Sequence, residues 1–517
     1  MHITRLRAAT AALALLPAAA WATNGYFTPG SSLQQLSMAG TGTAMAQDAG
    51  VAILNPAGSV WVGNQVEAGL SLFIPNRYYA ASGTGSGANT GIFSIDPTRN
   101  GAIRSANTRF PMPEFVYNRQ LDANTAIGVA MFGNGGMDTD YNSGSATFGA
   151  NLPLGLTGIG ALGKVLPLFQ AHCQGTFGGG APVAGSTDAL GFCGNGRADA
   201  GVDLMQGFIA PYYSRKLTPT FSIGIEPIIA IQRFTAHGLA AFRKFSNEPN
   251  AVTDNGYSYS FGGGGRVGFL WKVAPGIGVG GSYQSRIYMT HFYRYTGLFA
   301  QHGAFDVPSS FNFGLQLRPL PHHRFLFDWQ RINYHEVRSV GNAFDANRFV
   351  NQCAVPRLLS QLTGGLEGST APSSACLGAT NGPGFAWRDM IIYKFGYQFS
   401  WRRVKLRLGY SFGRQPIPTD QMLFDVLAPG VVERHLTGGF AYELSSRVTV
   451  GFAFSYAFSH TIVGKNPLSN TPGSITLLKD GTPVGLHFDT APNTNDQVLK
   501  ETLREVETTI GFSYRFE

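Results

Sequence analysis

The segment from Val506 to Phe516 alternates with a period of two. Val506, Ile510, Phe512, Tyr514 and Phe516 are apolar, whereas Glu507, Thr509, Gly511, Ser513 and Arg515 are polar or tiny. In a strand, that period sends alternate side chains to opposite faces, so one face meets apolar matter and the other meets water. The pattern recurs. Ile391, Tyr393, Phe395, Tyr397 and Phe399 alternate with Lys394, Gly396, Gln398 and Ser400. Val448, Val450, Phe452, Phe454, Tyr456 and Phe458 alternate with small or polar residues. Repeated around a closed sheet, this describes a membrane barrel with lipid outside and a polar lumen inside.

Composition agrees. Only 13% of the 517 residues are charged, against about 25% in a typical soluble chain. Aromatics reach 12%, and there are 67 glycines. No apolar run approaches the roughly 18 residues of a membrane helix. The expected fold class is all-β, a transmembrane antiparallel β-barrel of about 14 strands.

Fourteen strand candidates lie near 66–75, 108–119, 124–134, 202–215, 220–235, 257–272, 277–296, 308–318, 323–338, 385–400, 403–413, 431–444, 447–463 and 500–516. Short turns near Leu121, Thr218, Pro275, Leu320, Arg402 and Ser446 alternate with long connections, chiefly 135–201, 339–384 and 464–499. Short periplasmic turns and long external loops produce that alternation. The even count places both termini in the periplasm. A barrel this wide stays open or needs a plug. Residues 23–65, rich in Ala, Gly, Gln and Ser, supply one as short helices and turns, leaving 66–517 for the barrel. Residues 1–22 read as a signal peptide: Arg5 and Arg7, the apolar stretch Ala8 to Leu16, then Ala20-Trp21-Ala22.

The four cysteines form two local pairs, Cys173 with Cys193 and Cys353 with Cys376. In an exported chain these read as two loop-stapling disulfides, although sequence alone leaves the connectivity open. Nothing near them has zinc spacing, and His322-His323 lacks further ligands, so no metal and no cofactor is expected. The net charge of +8 comes with no nucleic-acid motif and fits contact with anionic lipid headgroups. The Gly-x-Ser-x-Gly match Gly409-Tyr410-Ser411-Phe412-Gly413 lies within the strand candidate 403–413 and not at a strand-to-helix elbow, which leaves an outer-membrane lipid hydrolase as a weak alternative and a non-enzyme as the expectation.

Several segments carry a resemblance. Met38-Ala39-Gly40-Thr41-Gly42-Thr43-Ala44, then Gln47-Asp48-Ala49 and Asn55-Pro56-Ala57, resemble the amino-terminal hatch of the FadL/TodX family. Val307-Pro308-Ser309, Trp387-Arg388-Asp389 with Gly396-Tyr397, Leu406-Arg407-Leu408-Gly409-Tyr410 and Pro416-Ile417-Pro418 resemble its later strands and loops. The resemblance implies a monomeric fourteen-stranded outer-membrane channel of a Gram-negative cell, plugged by the hatch. Its partners would be outer-membrane lipids, lipopolysaccharide and the barrel-assembly machinery. A hydrophobic ligand, a long-chain fatty acid or an aromatic hydrocarbon, would be captured outside, pass to a lumenal pocket and leave sideways beside a kinked strand. An adhesin or open porin is the other alternative.

The candidate residues follow from these readings. Asn55, Pro56 and Ala57 make a rigid hatch turn that serves shape, gating or both. Tyr26 and Phe27 are gate candidates or ordinary packing. Gly133, Asn134, Gly135 and Gly136 permit a strand kink or a simple strand exit. Arg266, Arg286, Lys394, Lys405 and Arg407 fall on inward positions. There they would meet a carboxylate headgroup, or pair with Glu433, Glu505 and Glu507.

Overall fold

The computed structural model describes residues 24–83, 93–95, 98, 101–142, 146–148, 171–172, 176–177, 200–362, 369–469, 473–477, 483–488 and 497–517. The signal segment 1–22 and Cys173 and Cys193 lie outside them.

Fourteen long strands form one closed antiparallel sheet: β1 (Gln65–Ser82), β2 (Phe110–Asp122), β3 (Thr125–Tyr141), β4 (Ala200–Lys216), β5 (Phe221–His237), β6 (Ser258–Ala274), β7 (Ile277–Gln284), β8 (Ser310–Leu320), β9 (His323–Ile332), β10 (Met390–Trp401), β11 (Val404–Gly413), β12 (Arg434–Glu443), β13 (Val448–Asn466) and β14 (Gln497–Arg515). Each pairs with its neighbours in sequence, and β14 closes onto β1 from Gln65↔Arg515 to Ser82↔Val498. Closure leaves no open edge, which a barrel in lipid requires. Among the described residues no helix is long and apolar enough to cross a membrane.

The two-residue period decides the faces. Outward positions such as Leu70, Leu72, Phe395, Leu408, Ile510 and Phe512 are exposed. Trp271, Trp401 and Tyr442 stand exposed towards the short-turn end, where aromatic side chains suit a membrane interface. Inward positions are polar and buried, among them Glu67, Arg77, Glu114, Asp328, Lys394, Glu505 and Glu507.

Some strands end elsewhere than the pattern predicts. β3 runs past Gly133–Gly136 to Tyr141, because one bulge absorbs the irregularity and pairing with β4 resumes. β7 stops at Gln284, not near 296: Phe292 and Tyr295 turn into the interior, and their apolar character reflects core packing. β9 stops at Ile332, where Tyr334–Glu336 and Arg338–Gly341 form helical turns. β10 starts at Met390, and the preceding Trp387 is buried rather than part of a strand.

The amino-terminal segment fills the lumen. Helix Leu33–Leu36, helix Val51–Leu54 and the 3₁₀ turn Pro56–Trp61 are almost wholly buried. The wall admits this plug through inward glycines. A Cβ on Gly224 would sit 2.4 Å from Ala57 N, on Gly280 2.3 Å from Thr43 O, and on Gly409 2.3 Å from the Met38 carbonyl carbon. Plug backbone and wall therefore touch directly on several sides of the barrel.

Candidate functional site

Buried side chains on the wall hold the plug. Lys394 donates to Pro29 O at 2.8 Å. Asp328 accepts from Thr43 N at 2.9 Å, and Glu67 from Gly50 N at 2.8 Å. Arg266 donates to Ile53 O at 2.5 Å, to Glu226 at 2.7 Å and to Gln284 at 2.6 Å. Asn55 has three partners: its amide donates to Thr43 O at 2.8 Å and Phe269 O at 2.9 Å, and its oxygen accepts from Ala57 N at 3.1 Å. These groups cap the orphan backbone of short helices that could not stand alone.

Towards the long-loop end the lumen opens into an apolar cavity. Phe234, Phe242, Phe299, Phe385, Phe424 and Leu427 line it, with Leu239, Leu298, Leu377 and Leu423. None of the described residues lining it is charged. Among the described residues Ser339 is the only lining side chain with a hydroxyl, and that group is spent on the backbone oxygens of Ala300 and Ala304 at 3.4 and 2.5 Å. Such a surface binds by apolar burial, worth about 0.8 kcal/mol per CH₂.

A chain of rings leads from the cavity to the amino terminus. Phe299 contacts Phe305 at 5.0 Å between centroids, Phe305 contacts Tyr26 at 6.0 Å, and Tyr26 contacts Phe27 at 5.4 Å. Tyr334 and Trp387 pack against Tyr26 at 5.2 and 5.8 Å. Tyr334 accepts from Tyr26 N at 3.2 Å and donates to Asn24 O, fixing the segment end on. Burial pushes the Tyr26 phenol well above its usual range, so it stays neutral.

Phe27 then reaches the wall. β3 and β4 shift register between Gly133 and Gly135, leaving Asn134 as the extra residue. The amino terminus pairs with that bulge. Phe27 bridges Gly135, Gly136 N donates to Tyr26 O at 3.0 Å, and Thr28 N donates to Asn134 O at 3.1 Å. Asn134 itself donates to Gln206 at 3.0 Å. The arrangement is an apolar chamber, an aromatic latch and an irregularity in the barrel wall, in contact in that order.

No protein-family model matches this sequence, and no curated protein matches it either. Solved structures do match in fold. The Pseudomonas putida toluene transporter TodX superposes with a TM-score of 0.54 at 14% identity, over 95% of this chain and 99% of that one. A Pseudomonas aeruginosa FadL homologue gives 0.55 at 12% identity, over 95% and 100%. The Ralstonia pickettii toluene transporter TbuX gives 0.50 at 15% identity, over 95% and 99%.

This chain has the TodX and FadL-homologue fold.

Within that fold the predicted site residues separate into groups. Tyr26, Phe27 and Gly133–Gly136 come together at the latch. Asn55, Pro56 and Ala57 lie deeper, against β6 and β5. The five cations are distributed through the lumen, and none lines the apolar cavity. Arg286 pairs with Asp306 at 2.7 Å and Lys405 with Glu443 at 3.1 Å. Arg407 donates to Gln398 at 3.0 Å. Lys405 and Arg407 border a separate small polar cavity beneath the plug, with Gln47, Asp48 and Glu67. Their acidic partners are thus Glu226, Asp306 and Glu443; Glu433 instead faces His460 at 3.7 Å. Cys353 and Cys376 are joined in a disulfide. Sequence reasoning missed the cavity lining, which comes from loop residues such as Phe242, Phe385 and Phe424 that follow no strand period.

Proposed function

We propose that this chain is a member of the FadL/TodX family, an outer-membrane channel that takes up hydrophobic small molecules, and that its ligand is neutral. The long-loop end faces outward, the apolar cavity receives the ligand, and the latch at Tyr26 and Phe27 guards a lateral exit at the Gly133–Gly136 bulge. The observation that carries this reading is the apolar cavity joined ring by ring to the bulge. TodX and TbuX, which share the fold, are described as toluene transporters. A fatty acid carboxylate held in this cavity would lose its hydration without gaining a cation among the described lining residues, at a cost of several kcal/mol. A monoaromatic hydrocarbon loses nothing. The arrangement requires no catalytic step.

Uptake of labelled toluene and labelled oleate by cells lacking their own transporter tests this reading. Protein-dependent toluene accumulation without oleate accumulation is the expected result. Oleate alone would overturn the neutral-ligand assignment. Neither compound entering, with the folded barrel in the outer membrane, would sink the uptake reading.

A further inference from the structure

The seam between β14 and β1 has two unlike faces. Inward, Glu501, Glu505 and Glu507 are buried. Outward, Lys500 and Arg504 are exposed on the same strand. The register brings a third cation beside them. Lys500 lies opposite Ala80, Thr502 opposite Tyr78 and Arg504 opposite Asn76, while Arg104 pairs with Tyr78 from the other side. Adjacent strands lie about 4.8 Å apart and same-face neighbours along a strand about 7 Å apart, so the three cations share a patch roughly 15 Å across. Lys465, opposite Val498 on β13, extends it. Arg104 is held in place: its guanidinium stands 5.0 Å from the Tyr78 ring centroid and donates to the Tyr78 hydroxyl at 3.1 Å. The intervening outward positions are Thr461, Val463, Val498, Thr502, Asn76 and Ala80, none of them acidic.

Depth gives the patch its meaning. On β14 the exposed Phe512 and Ile510 belong to the apolar band. Arg504 precedes Phe512 by eight residues and so lies toward the long-loop end, about 26 Å along the strand and about 20 Å along the barrel axis at the usual tilt. The apolar band of such barrels is about 25 Å tall. Arg504, Arg104 and Lys500 therefore stand at its upper edge, at headgroup level.

We propose that Arg504, Arg104 and Lys500 bind the phosphates of an anionic glycolipid in the outer leaflet. This rests on the outer-membrane placement proposed above. Two guanidinium forks and an ammonium on one face match phosphate oxygens, and none of the described outward positions between them is acidic.

The test uses the full-length barrel purified in detergent, with labelled lipid A as probe. Wild type retains lipid A, and the Arg104→Gln/Lys500→Gln/Arg504→Gln variant binds it about tenfold or more weakly. Lipid A stripped of its phosphates does not bind. Equal binding by the variant, or equal binding of the stripped lipid, overturns the proposal. So does full displacement by inorganic phosphate at the concentration of the lipid, which assigns a simple ion site. Unchanged heat-shifted gel mobility confirms that the variant is folded. Toluene uptake reports separately: its absence with lipid A binding intact sinks the uptake reading and leaves this one standing.

Discussion

Gly135 marks where sequence alone could name a device without seeing its purpose. The Gly-Asn-Gly-Gly run allows a bulge, but nothing in it says that Tyr26 and Phe27, more than a hundred residues earlier, dock there. A Cβ on Gly135 would lie 1.7 Å from Tyr26 O, so Gly135→Val must displace the latch. The expected result is faster amide exchange at Thr28 and Gly136, which lose their bonds to Asn134 O and Tyr26 O, with the barrel still folded. Unchanged exchange would show that the contact is not needed to hold the terminus. Asn55 is a similar case. Its alternatives were a shape-holding turn or a moving gate, and the three bonds it makes tie it to plug and wall together. Asn55→Ala leaves the Thr43 and Phe269 carbonyls unpaired and destabilises the fold by about 3 kcal/mol, measured as a lowered urea midpoint. The lumen cations show the limit of the period-two argument. It tells which face Arg266 and Lys394 take, but only the fold shows that plug carbonyls meet them.

At the scale of elements, strands were legible and loops were not. A strand in lipid repeats a two-residue rule along its length, whereas a cavity wall is assembled from aromatic residues scattered over several loops. The loop between β11 and β12 is an example. Its helix Met422–Asp425 places Leu423 and Phe424 on the cavity. Asp425, fully buried, accepts from Trp387 Nε1 at 2.5 Å and has the Glu501 carboxyl of β14 as a neighbour. Desolvation pushes the Asp425 carboxyl well above its ordinary 3.8, against the pull of the Trp387 hydrogen bond. Because the folded value exceeds the unfolded one, docking of this loop is strongest below the ordinary value and weakens as pH rises through the raised one. Trp387 fluorescence, isolated by comparison with Trp387→Phe, should report the loosening. Asp425→Asn keeps the acceptor and should flatten the pH response; an unchanged response would exclude Asp425 as its source. The Cys353–Cys376 bond closes a 23-residue separation beside Leu377, which lines the same cavity. Replacing both cysteines by serine should weaken that roof by about 3 kcal/mol, seen as proteolysis between residues 346 and 384 while the barrel stays intact.

For the whole molecule, the question is which body moves when a ligand passes. The plug meets the wall through glycine at Gly224, Gly280, Gly396 and Gly409, with donors and acceptors matched between them. Packing of that density resists displacement, because every shift opens unpaired backbone groups. The latch differs: it is one extended segment held at a bulge by two backbone bonds and a cluster of rings. Transport by sideways exit therefore predicts that the plug stays still. Met38 and Gly396 offer a direct check, since a Cβ on Gly396 would lie 3.2 Å from the Met38 Cβ, within a few tenths of an ångström of disulfide range. In a Met38→Cys/Gly396→Cys variant, oxidation locks the plug to β10, and ligand accumulation should stay within about twofold of the reduced protein, whose rate is the control for the same two substitutions. If oxidation abolished uptake and reduction restored it, the plug itself would have to move, and the ligand's route would run through the lumen toward the short-turn end rather than out through β3.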